Sequence, residues 1–131
     1  MICYLDTSVV VKTLTTETES DAVIGLLVSF EQSGDTFVSS GLLITETHRA
    51  AQRLSVSVDE AESALDLIEF VDVTNEVLRR AGALPGSVLR SLDAIHVATA
   101  LEVEAGVFVT ADVHQSAAAR GAGLNVVDEF D

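Results

Sequence analysis

Four acidic residues lie where strands end or within helices that follow strands, in otherwise apolar surroundings. Asp6 ends the apolar run that opens the chain, and Asp112 follows the fourth predicted strand by two residues. Asp93 lies in the first turn of the most hydrophobic predicted helix, and Glu46 lies in the helix after the second strand. Because the carboxyl ends of parallel strands meet at one edge of a sheet, these side chains are expected to converge there.

Clustered carboxylates point to one kind of chemistry. Like charges brought together raise one another's pKa unless a cation is present, and oxygen ligands without thiolates suit Mg²⁺ or Mn²⁺. A metal ion held in this way can activate water against a phosphoester. Ser8 and Thr110 are then placed to orient a metal-bound water or a ligating carboxylate.

Each carboxylate also has a simpler explanation when it is taken alone. Asp93 and Asp112 could be helix caps or turn residues. Glu46 could form a surface ion pair with Arg49 or Arg53. Asp6 is harder to dismiss, because an unpaired buried carboxylate is costly. All four explanations would have to hold together, which favours a common site.

Strands alternate with helices along the chain, which predicts a three-layer α/β/α sandwich with a mainly parallel sheet in a single domain over residues 1–131. Ser57 and Asn75 are the predicted caps of two of the helices, and Ser57 forms a capping box with Glu60. Gly106 is the predicted stop of the helix that begins at Ser91. The predicted strands are 1–5, 36–40, 70–74, 107–110 and 125–127, and the other predicted helices cover 21–32, 41–54 and 113–120.

The composition limits the partners and the compartment. The net charge is −14, from 21 Asp and Glu against 7 Lys and Arg, which argues against a large surface for binding phosphates. The single cysteine, Cys3, excludes an internal disulfide and a cysteine-based zinc cluster. With no apolar run of about 20 residues and no signal peptide, a cytoplasmic protein without membrane contact is expected.

Four segments together resemble the PIN domain and, more narrowly, the VapC-type toxins of bacterial toxin–antitoxin systems. The segments span nearly the whole chain in the family's order, and each contains one of the four acidic residues. They read LDTSVVVK, SSGLLITETHRA, RSLDAIHVATA and VFVTADVHQSAAARGAGLNVV.

The resemblance implies a Mg²⁺- or Mn²⁺-dependent endoribonuclease that hydrolyses RNA with a metal-activated water. It carries the catalytic and metal-binding roles over to Asp6, Glu46, Asp93 and Asp112, with Asp6 and Asp93 as the direct ligands. Thr7, Ser8 and Thr110 match polar positions that line the family's site. The resemblance also implies a cognate antitoxin that blocks this site, and a homodimer.

The remaining polar residues are less specific. Lys12, Arg49 and Arg90 flank three of the acidic segments and are candidates for contacts with RNA phosphates. His96 follows Asp93 by three residues, and a packed, hydrogen-bonded histidine is favoured there over a general base. His114 stands where relatives often carry an acidic or basic residue, which leaves one or two metal ions as alternatives.

Other acidic or nucleotide-binding folds fit less well. A receiver domain needs a lysine near its last strands, and the only lysine is Lys12. A haloacid-dehalogenase-type phosphatase needs a second aspartate at the position of Ser8, and the P-loop and dinucleotide fingerprints are absent. The remaining alternative is a catalytically inactive PIN-like module that dimerises and binds protein, although all four acidic positions are present.

Overall fold

The computed structural model describes residues 1–86 and 88–130. Five strands form one sheet in the order β3-β2-β1-β4-β5, and every neighbouring pair is parallel. The predicted α/β sandwich with a parallel sheet is therefore confirmed. The strands are β1 Ile2–Leu5, β2 Thr36–Ser40, β3 Ile68–Val71, β4 Val107–Val109 and β5 Val126–Val127. The helices are α1 Thr7–Thr13, α2 Ser20–Gln32, α3 Leu42–Arg53, α4 Val58–Leu65, α5 Asn75–Gly82, α6 Ser91–Glu102 and α7 Val113–Gly121.

Alternate residues of the central strands enter two different cores, as expected for strands that are covered on both faces. Cys3 and Leu5 of β1 pack with residues of helices α1 to α4. Tyr4, between them, points to the opposite face and packs with Val97 of α6 and Ala119 of α7. The Tyr4 ring also stacks on Phe108 of β4 at 5.3 Å between centroids. The first strand is thus fixed from both sides of the sheet.

The order of the strands places β1 between β2 and β4. The chain proceeds outward from β1 through β2 to β3, and then crosses back to form β4 on the other side of β1. Such a reversal leaves a crevice at the carboxyl ends of the two strands beside it, where open α/β folds bind ligands. Asp6, directly after β1, lies at this point, and its backbone N–H donates to the carbonyl of Val109 at 3.0 Å.

Several predicted boundaries are wrong, for local reasons. The third strand is Ile68–Val71 and not 70–74, because Ile68 pairs with Phe37 and the chain leaves the sheet to begin α5. Thr74, and not Asn75, caps that helix by accepting the N–H of Val77 at 3.2 Å. The apolar helix α6 ends at Glu102, before Gly106.

The remaining helices agree closely with the prediction. The Ser57 cap at the start of α4 is confirmed, since the Ser57 hydroxyl accepts the N–H of Glu60 at 3.1 Å. The Glu60 carboxylate accepts from the Ser57 hydroxyl at 3.2 Å, which is not the reciprocal bond to the backbone N–H of Ser57 that a capping box contains. The run after Asp6, to which the sequence assigned no element, forms the short helix α1. None of the helices within the described residues is long and apolar enough to cross a membrane.

Candidate active site

Asp6 is buried and held by two hydroxyl groups. Asp6 is only 4% exposed, although its side chain is a carboxylate. The Oδ2 atom accepts hydrogen bonds from Ser8 at 2.7 Å and from Thr110 at 2.8 Å. Hydroxyl donors of this kind stabilise the charged form of a buried carboxylate and fix its direction. Asp6 is therefore oriented by residues from α1 and from the end of β4.

The same two hydroxyls also fix the backbone beyond β4. The Ser8 Oγ atom accepts the N–H of Ala111 at 2.9 Å, and the Thr110 Oγ1 atom accepts the N–H of Asp112 at 3.1 Å. The two hydroxyl oxygens lie 3.2 Å apart. Ser8 and Thr110 thus connect Asp6 to the turn that carries Asp112, as expected for residues that support a ligating carboxylate.

Glu46 is held by a buried chain of polar groups that the sequence did not reveal. Its Oε1 atom accepts hydrogen bonds from Thr7 Oγ1 at 2.8 Å and from His96 Nε2 at 2.6 Å. His96 Nδ1 lies 2.7 Å from the Tyr4 hydroxyl, which itself accepts the backbone N–H of Ser40 at 3.1 Å. Glu46 is thus joined to the centre of the sheet.

One proton arrangement satisfies this chain with a neutral imidazole. Because the Tyr4 oxygen accepts from Ser40, its own proton is available for His96 Nδ1, and Nε2–H then donates to Glu46. Burial raises the pKa of Glu46, but the hydrogen bonds that it accepts from His96 and Thr7 outweigh this effect and leave the pKa below its usual value. His96 is the packed, hydrogen-bonded histidine that was favoured from the sequence, with a site carboxylate as its partner.

Asp112 caps helix α7. Its Oδ1 atom accepts the N–H groups of His114 at 2.8 Å and Gln115 at 3.1 Å. The cap that was proposed as the simpler explanation for this residue is therefore present. It uses one carboxylate oxygen, and no side chain within the described residues donates a hydrogen bond to the other.

Asp93 lies in the first turn of α6 and differs from the other three carboxylates. No hydrogen bond from residues 1–86 or 88–130 reaches its side chain, and Arg90 holds the N-cap position of the helix. Burial raises the pKa of Asp93, and the charges of Asp6, Asp112 and Glu46 raise it further. The four carboxylates are thus close enough for their charges to interact.

Gln115 is a residue of this site that sequence reasoning missed. Its backbone N–H donates to Asp112, while its side-chain Nε2 donates to the backbone carbonyl of Asp93 at 3.0 Å. The side chain is almost fully buried between α6 and α7. Gln115 therefore sets the spacing between Asp93 and Asp112. Its position at the start of a helix predicts a local capping role, but no local signal indicates a contact with α6.

We call Asp6 and Glu46 the inner carboxylates and Asp93 and Asp112 the outer carboxylates. Among the described residues, no three His, Cys, Asp or Glu side chains are arranged to hold a metal ion together. Mg²⁺ usually takes only one or two protein carboxylates directly and keeps several waters, so such an arrangement is not required. Oxygen donors and the raised pKa of Asp93 fit a hard divalent cation.

The three basic candidates have different surroundings. Lys12 pairs with Glu17 at 2.7 Å and with Glu19 at 3.5 Å. Arg49 donates to the side chain of Gln52 at 2.8 Å and forms no ion pair with Glu46 within the described residues. No ion pair to Arg90 is found in residues 1–86 and 88–130, and Arg90 directly precedes the helix that carries Asp93.

Comparison with known proteins agrees with this fold. A family model described as the PIN domain matches residues 3–121. The chain therefore belongs to the PIN-domain family.

Within that family, the similarity extends to VapC ribonucleases. Ribonuclease VapC46 of Mycobacterium tuberculosis is 38% identical over 127 residues, which cover 95% of each chain. Ribonuclease VapC47 from the same species is 32% identical over 113 residues, or 83% of each chain.

Solved structures share the fold at lower identity. VapBC2 from Rickettsia felis, crystallised with a DNA fragment from its promoter, contains a chain with a TM-score of 0.76 and 18% identity, with full coverage of both chains. VapC20 of M. tuberculosis, described as a toxin that cleaves the sarcin-ricin loop, has a TM-score of 0.76 and 16% identity over 98% of this chain and 99% of its own.

Proposed function

We propose that this protein is an endoribonuclease of the VapC type that hydrolyses RNA phosphodiester bonds, as the toxin of a toxin–antitoxin pair. The observation that carries the proposal is the proximity of four carboxylates from different elements near the carboxyl edge of the sheet, where burial and then the charges of the other three raise the pKa of Asp93. The likeness to VapC46 and VapC47, both named ribonucleases, supports the same conclusion.

The proposed cofactor is Mg²⁺ or Mn²⁺, held by Asp6 and Asp93, with Glu46 and Asp112 holding its waters or a second ion. When bound, such an ion polarises water and the scissile phosphate and neutralises the charge that develops on the departing oxygen. The protein supplies the directions of the ligands. Thr110 and Ser8 fix Asp6, and His96 with Thr7 fixes Glu46 in its charged form.

The acidic chain must still bind a polyanion. With a net charge of −14, RNA is repelled at long range unless cations intervene, so binding is expected to depend strongly on the divalent ion. Thr7, Ser8 and Thr110 are proposed to line the site. Among the proposed phosphate contacts, Arg90 is exposed and has no ion pair within the described residues. Lys12 already pairs with two glutamates, which leaves less of its charge for RNA.

The proposed partners are a cognate antitoxin that blocks the site and a second copy of the chain in a homodimer. The VapBC2 assembly of R. felis, which shares the fold, supports the first of these. A basic side chain of the antitoxin could pair with the outer carboxylates, because one oxygen of Asp112 and the whole carboxylate of Asp93 lack donors within the described residues.

The nuclease proposal is tested with purified protein, RNA and Mn²⁺ or Mg²⁺. Asp6→Asn and Asp93→Asn are expected to reduce cleavage to background while the circular dichroism spectrum is unchanged. Chelation of the metal should have the same effect, and its return should restore activity. Cleavage that is equally fast in both variants would contradict the assignment, and wild-type protein without cleavage would favour a non-catalytic PIN-like module.

A further inference from the structure

A groove with a volume of about 710 Å³ extends from the outer carboxylates along helix α7. Asp93 and Asp112 line one end of it. Residues 85, 86 and 88–90 form one wall, and α7 forms the other. The groove is thus continuous with the candidate active site. An apolar cavity of about 200 Å³ beside α2 is smaller and is lined by none of the four carboxylates.

The walls of the groove are apolar, and its polar groups lie near the carboxylates. Val88 and Leu89 line one side, and Ala117 and Ala118 line the other. Val88 is 87% exposed, which leaves a large apolar side chain free to cover a ligand. A concave surface with apolar walls and few polar groups is typical of a ligand site, and the volume falls within the usual range of about 300–1,000 Å³.

Arg90 and His114 supply the polar groups on the two walls. Both side chains are exposed and line the groove, Arg90 just before α6 and His114 in the first turn of α7. A guanidinium group can pair with a phosphate or stack on a base. An imidazole can stack on a base or form hydrogen bonds to the edge of a base. One cationic group and one aromatic ring therefore line the same groove.

We propose that this groove binds one unpaired nucleotide of the RNA substrate next to the scissile phosphate. Arg90 binds the adjacent phosphate, His114 contacts the base, and the apolar walls enclose the face of the base. The proposal rests on the proposed ribonuclease function, since it is the position of the outer carboxylates that makes this groove part of the path of the RNA. A base within a duplex cannot enter a two-walled groove, so the substrate is unpaired at this position.

Binding is measured by fluorescence anisotropy with labelled single-stranded RNA and with a duplex of the same sequence, in Ca²⁺, which oxygen ligands also bind. Wild-type protein is the background, because Asp6 is a proposed metal ligand and RNA binding is expected to need the ion; electrophoresis after each measurement checks that the RNA is intact. On this background, Ala117→Leu fills the groove at an exposed helical position and should weaken binding of the single strand about fivefold or more, because the stacking of one base is lost. The duplex is expected to bind more weakly than the single strand.

Arg90→Ala tests the phosphate contact separately. It should weaken binding and reduce the slope of log K against log salt by about 0.7, the value for one phosphate contact on a single strand. Arg90→Lys keeps the charge and should restore the slope. Matched controls are Arg79→Ala and Ala83→Leu, the same changes at exposed positions outside the groove, which should bind as the background protein does.

Cleavage of RNA in Mn²⁺ is measured in parallel for the wild-type protein and for the groove variants, all of which keep the four carboxylates. If wild-type protein cleaves RNA but both groove variants bind and cleave at unchanged positions with unchanged KM, the groove proposal is wrong and the nuclease assignment stands. If wild-type protein neither binds nor cleaves RNA in Mn²⁺, the proposed function itself fails. Equal weakening by the groove variants and by their matched controls would also overturn the groove proposal.

Discussion

The inner and outer carboxylates are held by different kinds of contact. Asp6 and Glu46 accept hydrogen bonds from side chains that lie far away in sequence, up to 104 residues for Thr110 and Asp6. Within the described residues, the Asp112 side chain accepts only from the backbone of its own helix, and the Asp93 side chain accepts no hydrogen bond. The inner pair is therefore fixed before any ligand binds, while the outer pair faces the groove and can respond to metal and substrate.

This difference indicates separate roles for the inner and outer carboxylates. The hydroxyls and the imidazole leave the inner carboxylates little freedom, so in the proposed function Asp6 would fix one side of the cation site. The outer carboxylates have oxygens without hydrogen-bond donors among the described residues, so their negative charges repel one another. A bound cation would remove this repulsion. Changes in the inner half should therefore damage stability and activity together. Substitutions of the outer carboxylates by asparagine should reduce activity with little or no loss of stability.

Thr110→Val should have the largest combined effect. The substitution keeps the shape but removes the donor to Asp6 and leaves the N–H of Asp112 without its acceptor. The free energy of unfolding should fall by about 1–3 kcal/mol. Cleavage or metal affinity should fall by roughly 10–100-fold, the usual effect of a residue that supports a metal ligand. Urea denaturation and cleavage assays in Mn²⁺ measure the two effects.

Thr47→Val is the matched control for that experiment. Thr47 is fully buried, and its hydroxyl has no hydrogen-bond partner among the described residues. Removing a buried hydroxyl without a partner should leave stability unchanged or raise it, and cleavage should be unaffected. If Thr110→Val were as harmless as Thr47→Val, Asp6 would not depend on Thr110.

Tyr4→Phe tests the chain that holds Glu46 from a distance. The ring keeps its packing against Phe108, but the N–H of Ser40 and His96 Nδ1 lose their partner. Stability should fall by about 1–2 kcal/mol, and Mn²⁺ affinity by roughly tenfold as Glu46 becomes less well fixed. Calorimetric titration with Mn²⁺ gives the affinity without reference to cleavage. Unchanged affinity would mean that the orientation of Glu46 does not depend on the Tyr4 hydroxyl.

The same division explains what could be predicted from the sequence. The sheet, the positions of Asp93 and Asp112 at helix starts, and the cap on α7 follow from local patterns of apolar and capping residues. The contacts of the inner pair do not, because Tyr4 and His96 look like ordinary core residues until β1 and α6 are packed together. Gln115 was missed for the same reason, since its partner in α6 is 22 residues away.

The boundary errors have a related cause. The third strand was placed two residues too late, because the apolar run around Phe70 continues past the point where pairing with β2 ends. The surface pair with an arginine, which was the simpler explanation for Glu46, is not found within the described residues; Glu46 instead accepts a hydrogen bond from the buried imidazole of His96. Local patterns identify the elements, but only tertiary packing selects the partners of a side chain.

At Asp112 the capping of helix α7 and the contribution of the carboxylate to cleavage can be tested separately. Asp112→Ala should cost about 1 kcal/mol, because the N–H groups of His114 and Gln115 lose their acceptor. Asp112→Asn keeps an acceptor oxygen, so its free energy of unfolding should stay within roughly a few tenths of a kcal/mol of the wild-type value. Both should reduce cleavage if the carboxylate is needed for the reaction. Cleavage by Asp112→Asn at the wild-type rate would limit this residue to capping.

Asp93→Asn should have the smallest effect on stability and the opposite sign. Because the folded-state pKa of Asp93 is raised, the folded protein binds more protons than the unfolded chain between the ordinary and the raised pKa. Stability therefore falls as the pH rises through that window, and the loss is complete at neutral pH. Removing the charge should raise the Tm at pH 7 without metal by roughly 1–2 °C, a small value because the side chain is partly exposed and screened.

The gain from Asp93→Asn should disappear at pH values below the ordinary pKa, where Asp93 is protonated in both states, and it should shrink in high salt. Added Mn²⁺ should reverse the order, because the wild-type protein gains stability from the bound ion and the variant gains less. Asp6→Asn provides the contrast, since its hydroxyl partners already offset the charge and no comparable rise in Tm is expected. If both asparagine variants raised the Tm equally, the inner and outer carboxylates would not differ in the way their hydrogen bonds indicate.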